Sequence, residues 1–156
     1  MTDLATVFSD LVRYQITLWN AVDVRLKTDL DFSLANYETL RAIDSRDTCR
    51  VLDVADELVI TVGGASKIVD RLEAQGLCAR RPNPDDRRSS IVSVTPAGER
   101  ALHAARRTVE DELQKRLGSP LTVADLDRFA DTLSALRAST RHAGTPAAPT
   151  PEGAPA

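Results

Sequence analysis

Apolar residues recur at Leu4, Phe8, Leu11, Leu18, Val22 and Leu26, with Gln15 the one polar residue in the series. Steps of three and four place these positions on one face of a long helix over Leu4–Leu26. Ser33 then precedes "LANYETLRAI", a second helix of about three turns that the Ser33 hydroxyl is placed to cap. The stretch "CRVLDVADELVITVGGASKIVDRLEAQGL" reads as two more helices, a short one near Leu52–Leu58 and a longer one that starts after Thr61 and ends at Gly76. Thr61 suits an N-cap, and glycine in "QGL" suits a left-handed stop. Only "VIT" separates the two, so they cross steeply as a helix-turn-helix. Beyond Gly76 the period changes from helical to alternating. "CARRP" is a short strand, "NPDDR" a turn of turn-forming residues and "SSIVSVT" a β-branched return strand. Pro96 fits the first turn of a helix, and "AGERALHAARRTVEDELQKRL" continues to Leu117. After the break at "GSPL", Leu126, Phe129, Leu133 and Leu136 form one stripe of a last helix, and Thr122 with Asp125 resembles a capping box. The expected architecture is mainly α with one small β-hairpin.

Composition adds three constraints. At 42% hydrophobic and 28% charged, 156 residues suffice for one ordinary globular domain with a short appendage, and only 4% aromatic content makes the core mostly Leu, Val and Ala. No apolar run approaches the roughly 20 residues a membrane span needs. "MTDLATVFSD" lacks the basic start and apolar block of a secretion signal, so a cytoplasmic location is expected. Beyond Arg141, "HAGTPAAPTPEGAPA" is too poor in apolar surface to order itself, and residues 142–156 are expected to form a disordered tail.

Charge is unevenly spread. The net charge of −3 argues against coating nucleic acid through bulk charge. Residues 1–66 carry 6 basic and 11 acidic side chains, residues 67–88 carry 6 against 4, and the remainder balances at 8 against 8. Positive charge therefore gathers where the hairpin and the helix before it lie. Cys49 and Cys78 are the only cysteines and His103 and His142 the only histidines, with no metal-binding spacing, so no metal and no cofactor are expected. The thiols read as reduced and structural, or alternatively as a redox pair that meets in space. No histidine sits near a nucleophile, and there is no phosphate-binding glycine loop, so no enzymatic activity is expected.

"DRRSSIVSVT", Asp86–Thr95, fits the pattern D-x-R-x-x-x-L-x-L-T with valine at both leucine positions, and "IVDRLEAQGL" precedes it. With this order of elements, the chain resembles the MarR family of winged helix-turn-helix transcriptional regulators from about Leu4 to Thr140. The resemblance implies an N-terminal dimerisation helix over 1–32, a winged helix-turn-helix DNA-binding domain over 33–95 and C-terminal dimerisation helices over 96–141. It implies a homodimer on double-stranded DNA at an inverted-repeat operator, with the recognition helix in the major groove and the wing in the neighbouring minor groove. It further implies repression relieved by a small aromatic or anionic effector, with an effector-independent architectural or redox-responsive regulator as the alternative. Dimerisation also follows from the helix stripes themselves, which carry more Leu and Val than a single small winged domain could cover.

Within that frame the charged hairpin has a use. A wing tip near DNA needs cations to displace counterions, and a guanidinium fits a narrow minor groove. Arg88 is the expected groove residue with Arg87 beside it, and Asp86 is expected to hold the Arg88 side chain in place. Arg80 and Arg81 point to opposite faces of their strand, one toward phosphates and one away. The recognition helix opens with Thr61, Val62, Gly63 and Gly64, where the family is usually polar. Val62 suits a thymine methyl, and the glycines either admit a close backbone approach or mark a frayed start. Ser66 and Lys67 are candidates for bases or phosphates, and Arg71 for the DNA backbone or a structural ion pair. The aromatics Tyr14, Trp19, Phe32 and Tyr37 fall where the resemblance places an effector pocket, with Arg13 or Arg41 to pair an anion, or else they are core and interface residues. The peroxide-sensing branch of the family uses an N-terminal cysteine, which this chain lacks.

Overall fold

The computed structural model describes residues 3–86 and 88–142. Arg87 and the stretch 143–156, which holds most of the expected tail, lie outside the described residues. Six helices and one hairpin follow in chain order: α1 (Leu4–Leu30), α2 (Leu34–Asp44), α3 (Val51–Leu58), α4 (Val62–Ala74), β1 (Cys78–Pro82), β2 (Ser90–Val94), α5 (Pro96–Leu113) and α6 (Val123–His142). A π-helical turn over Gln114–Gly118 ends α5 earlier than the pattern suggests. The last helix extends to His142, the first residue of the expected tail. Among the described residues no helix is long and apolar enough to cross a membrane.

The expected caps form. The Ser33 hydroxyl accepts from the Asn36 amide at 3.1 Å, and the Thr122 hydroxyl from the Asp125 amide at 3.2 Å, while the Asp125 carboxylate accepts from the Thr122 amide at 3.3 Å. Thr95, whose capping role the sequence pattern did not reveal, accepts from the Gly98 amide at 3.1 Å. The hairpin is antiparallel, with Arg80 opposite Val92 and Arg81 opposite Ile91, and Cys49 adds an isolated bridge on the other side of Val92.

Two glycines are required by this packing. Gly76 takes φ 70° where the chain leaves α4 for β1, a conformation that costs glycine little. At Gly98 a Cβ would lie 1.9 Å from the Leu77 carbonyl oxygen, so only glycine lets α5 start against the base of the hairpin. Val59, in the turn between α3 and α4, also has positive φ, 54°. That is an unfavourable conformation for a β-branched residue, taken up at the C-cap of α3, where the Val59 amide donates to the Ala55 carbonyl.

One core joins α2, α3, α4, the hairpin and the middle of α5, with Leu26, Leu40, Val54, Val69 and Leu72 fully buried. The C-terminal half of α1 contributes Val22 and Leu26 to it. The N-terminal half does not: Leu4, Phe8 and Leu11 are 81%, 67% and 47% exposed. On α6, Phe129, Leu133 and Leu136 are likewise exposed. The apolar stripes foreseen on the outer helices exist, and among the described residues nothing covers their Leu4, Phe8 and Leu136 positions.

Candidate nucleic-acid interface

The Thr61 hydroxyl accepts from the Gly64 amide at 3.1 Å and closes the first turn of α4. The helix therefore begins at Val62, capped, in place of the frayed start that two glycines permitted. Val62, Gly63, Lys67 and Arg71 are exposed and Ser66 is partly so. A Cβ at Gly63 would meet nothing within 4 Å. The protein's own packing thus gives no reason for glycine there, although glycine costs a helix roughly 1 kcal/mol relative to alanine. No ion pair is formed by Lys67 or Arg71 among the described residues, so the structural-pair alternative for Arg71 is not realised.

The two strand arginines separate sharply. Arg80 folds back onto α4, where its guanidinium meets Asp70 at 2.6 Å and also Glu73, and its backbone N–H donates to Glu73 at 2.9 Å. The two bonds from Arg80 to Glu73 hold its carboxyl below the usual carboxylate range, the Arg80 amide acting most strongly. Arg80 was a candidate for direct DNA contact, but two carboxylates already occupy its donors. Arg81 is exposed.

At the wing tip the turn is organised by Asn83, which is 8% exposed. Its side-chain amide donates to the Ser89 hydroxyl at 2.9 Å and its side-chain carbonyl accepts from the Asp85 amide at 3.1 Å. Asp86 accepts from the backbone amide of Arg88 at 3.0 Å. This corrects the expected contact: Asp86 fixes the turn that carries Arg88, and the bond goes to the main chain in place of the guanidinium. The Arg88 side chain stays exposed at the tip. Asn83 was missed as an organiser, although an asparagine before a proline in a turn is a recognisable signal. Arg50 was also missed. It caps α3, its amide donating to Asp53 at 2.8 Å and its guanidinium to the same carboxylate at 3.1 Å.

The MarR family model matches residues 32–90. The MarR multiple antibiotic resistance protein of Escherichia coli is 26% identical over 97 residues, 62% of this chain and 67% of that protein. Among solved structures, Sco3205 of Streptomyces coelicolor, a MarR family transcriptional regulator in complex with DNA, superimposes with a TM-score of 0.77 at 20% identity, over 85% of this chain and 84% of that one. BpsR of Bordetella bronchiseptica, whose DNA binding is regulated by 6-hydroxynicotinic acid, gives 0.75 at 23% identity over 85% and 98%. Residues 32–90 thus match a MarR family domain. The fold is that of these winged helix-turn-helix proteins, and the relatives it resembles are transcriptional regulators.

A cleft of about 360 Å³ opens between α1, α2, α5 and α6. Tyr14, Trp19, Leu18, Phe129 and Leu133 line it, with Glu38 and Gln15 the polar members. The Tyr14 hydroxyl donates to the Arg116 carbonyl at 2.9 Å and fastens α1 to the π-helical turn. Four candidates for this pocket are elsewhere, Phe32 among them, buried in the core. Tyr37 is buried in the core, and that burial raises its phenol above its ordinary value. Arg41 is taken by Glu38 at 2.7 Å, and Arg13 lies against Asp10 at 3.8 Å. The cleft is apolar and aromatic, and neither arginine lines it.

Both cysteines are buried, Cys49 in contact with Val92 through its backbone and Cys78 with its thiol toward the Val69 carbonyl. Burial pushes the Cys78 thiol up to about 11, helped by Glu73, and raises Cys49 as well. Thiolate is the reactive form, so neither cysteine should react with a maleimide at pH 7 until the chain is unfolded. Rapid labelling of the native protein, followed by mass spectrometry, would contradict this assignment.

Proposed function

We propose that this chain is a homodimeric repressor that binds an inverted-repeat operator in double-stranded DNA and leaves it when a small apolar or aromatic molecule enters the cleft. The observation that carries the reading is the pairing of an exposed cationic wing with uncovered apolar stripes on α1 and α6. A second copy is the occupant that buries both stripes and sets two wings on one duplex. Arg88 enters the minor groove, with Arg87 as its neighbour, and Arg81 meets phosphate. On α4, Val62 and Ser66 face base edges while Lys67 and Arg71 approach the DNA backbone. Sco3205 with DNA and BpsR with its regulatory ligand are the relatives that support these two halves. A cytoplasmic site of action accords with the reading.

The test is binding to duplexes selected from the host genome, measured against salt. Several phosphate contacts from two subunits give a steep negative slope of log affinity on log salt, about 0.9 per contact. A flat response would favour a winged module that serves only to dimerise. An effector is then sought among apolar aromatics, as a compound that weakens operator binding and leaves the non-specific background unchanged.

Gly63 supplies a further prediction. Gly63→Ala should raise the melting temperature, since alanine is the better helix former by roughly 1 kcal/mol and its methyl meets nothing inside the protein. It should lower operator affinity, because the methyl stands where the helix backbone approaches DNA. Thermal melts and fluorescence anisotropy on the same preparation check both signs, and unchanged affinity would remove the close approach.

A further inference from the structure

We infer that Arg80 is a positioning residue for DNA recognition, a clamp that sets the angle of the wing on the recognition helix. The inference rests on the proposed function of the wing. Asp70 and Glu73 stand one turn apart on α4, and the Arg80 guanidinium spans both while its amide binds Glu73 again. Arg80 sits at the middle of β1, paired with Val92, so these bonds join the hairpin to the helix. The Arg80 side chain is 23% exposed, less than either carboxylate it holds. A planar fork on two carboxylates fixes direction as well as distance. At the hairpin base, the Thr95 hydroxyl donates to the Gly76 carbonyl at 2.6 Å and the Thr95 amide to the Leu77 carbonyl at 3.1 Å. The wing is thus held at its root and at its middle.

Leverage gives the clamp its consequence. A five-residue arm rises about 3.3 Å per residue, so the tip stands roughly 15 Å from the root. A tilt of about 10° there displaces Arg88 by almost 3 Å, the length of one hydrogen bond. The single Arg80 charge offsets only one of the two carboxylates on the recognition helix, so the cluster keeps a net negative charge that repels phosphate. Geometry and bulk charge therefore predict opposite results when the carboxylates are removed.

The experiment uses the full chain with Asp70→Asn and Glu73→Gln together, on an operator duplex selected by the wild-type protein and on a scrambled duplex. Removing two negative charges per protomer should tighten binding to the scrambled duplex. Loss of the clamp should lower the ratio of operator to scrambled affinity at least tenfold. Arg88→Ala should then cost the double variant less than a third of the factor it costs the wild type. Arg80→Lys keeps the charge without the fork and should lower the ratio in the same direction. An unchanged or higher ratio in the double variant, or full tolerance of lysine at position 80, would overturn the inference and return Arg80 to a simple phosphate contact or charge role. If the wild-type protein itself makes no distinction between the duplexes, the proposed function fails first.

Discussion

Arg88→Ala should abolish most specific binding and leave the dimer intact. The side chain projects from a turn built by Asn83, Asp86 and Ser89, none of which depends on the guanidinium, so folding should be undisturbed. A guanidinium in a groove contributes about 1–3 kcal/mol, and the two-fold axis removes two of them. The expected loss is roughly 30-fold at the low end and more if the groove is narrow. The salt dependence should also become shallower by about 2, one for each cation lost. Anisotropy titrations at several salt concentrations read both quantities, and unchanged affinity would take the wing out of the mechanism. Asp86→Ala should cost less, since it loosens the turn without removing the charge.

Phe8→Asp or Leu136→Asp should separate the protomers. Both side chains are exposed within the single chain, so an aspartate at either position costs the monomer little. At a two-fold interface the same aspartate is buried twice, unpaired, at several kcal/mol per charge. Sedimentation should show monomers with the circular dichroism of the helices retained. Operator affinity should fall by about two orders of magnitude or more as the second binding event ceases to be intramolecular. A variant that remains dimeric would move the interface off these stripes.

The difference between what the sequence disclosed and what it concealed is the difference between local and tertiary causes. The helix-turn-helix, the strand ends at Cys78 and Pro82 and the caps at Ser33, Thr61 and Thr122 depend on neighbours within four residues, and all were legible. Alternation along β1 told that Arg80 and Arg81 part company, yet the decision between them lies with Asp70 and Glu73, brought over by the reversal at Gly76. Asp86 lies two residues from Arg88, a spacing that serves a side-chain pair or a turn equally, and the nearer main-chain amide won. Arg13 and Arg41 were offered to a ligand, while Asp10 and Glu38, three residues before each, hold them locally. That signal was present in the sequence. Gly98 carried none, because its constraint is the Leu77 carbonyl, twenty-one residues away.

The measurement that bears most directly on the central claim is sedimentation velocity of the purified chain, alone and with a labelled operator duplex at low ionic strength. The expected result is a stable dimer in free solution and a complex of two chains per duplex. A monomer that binds no duplex, or a dimer that sediments independently of DNA, would contradict it.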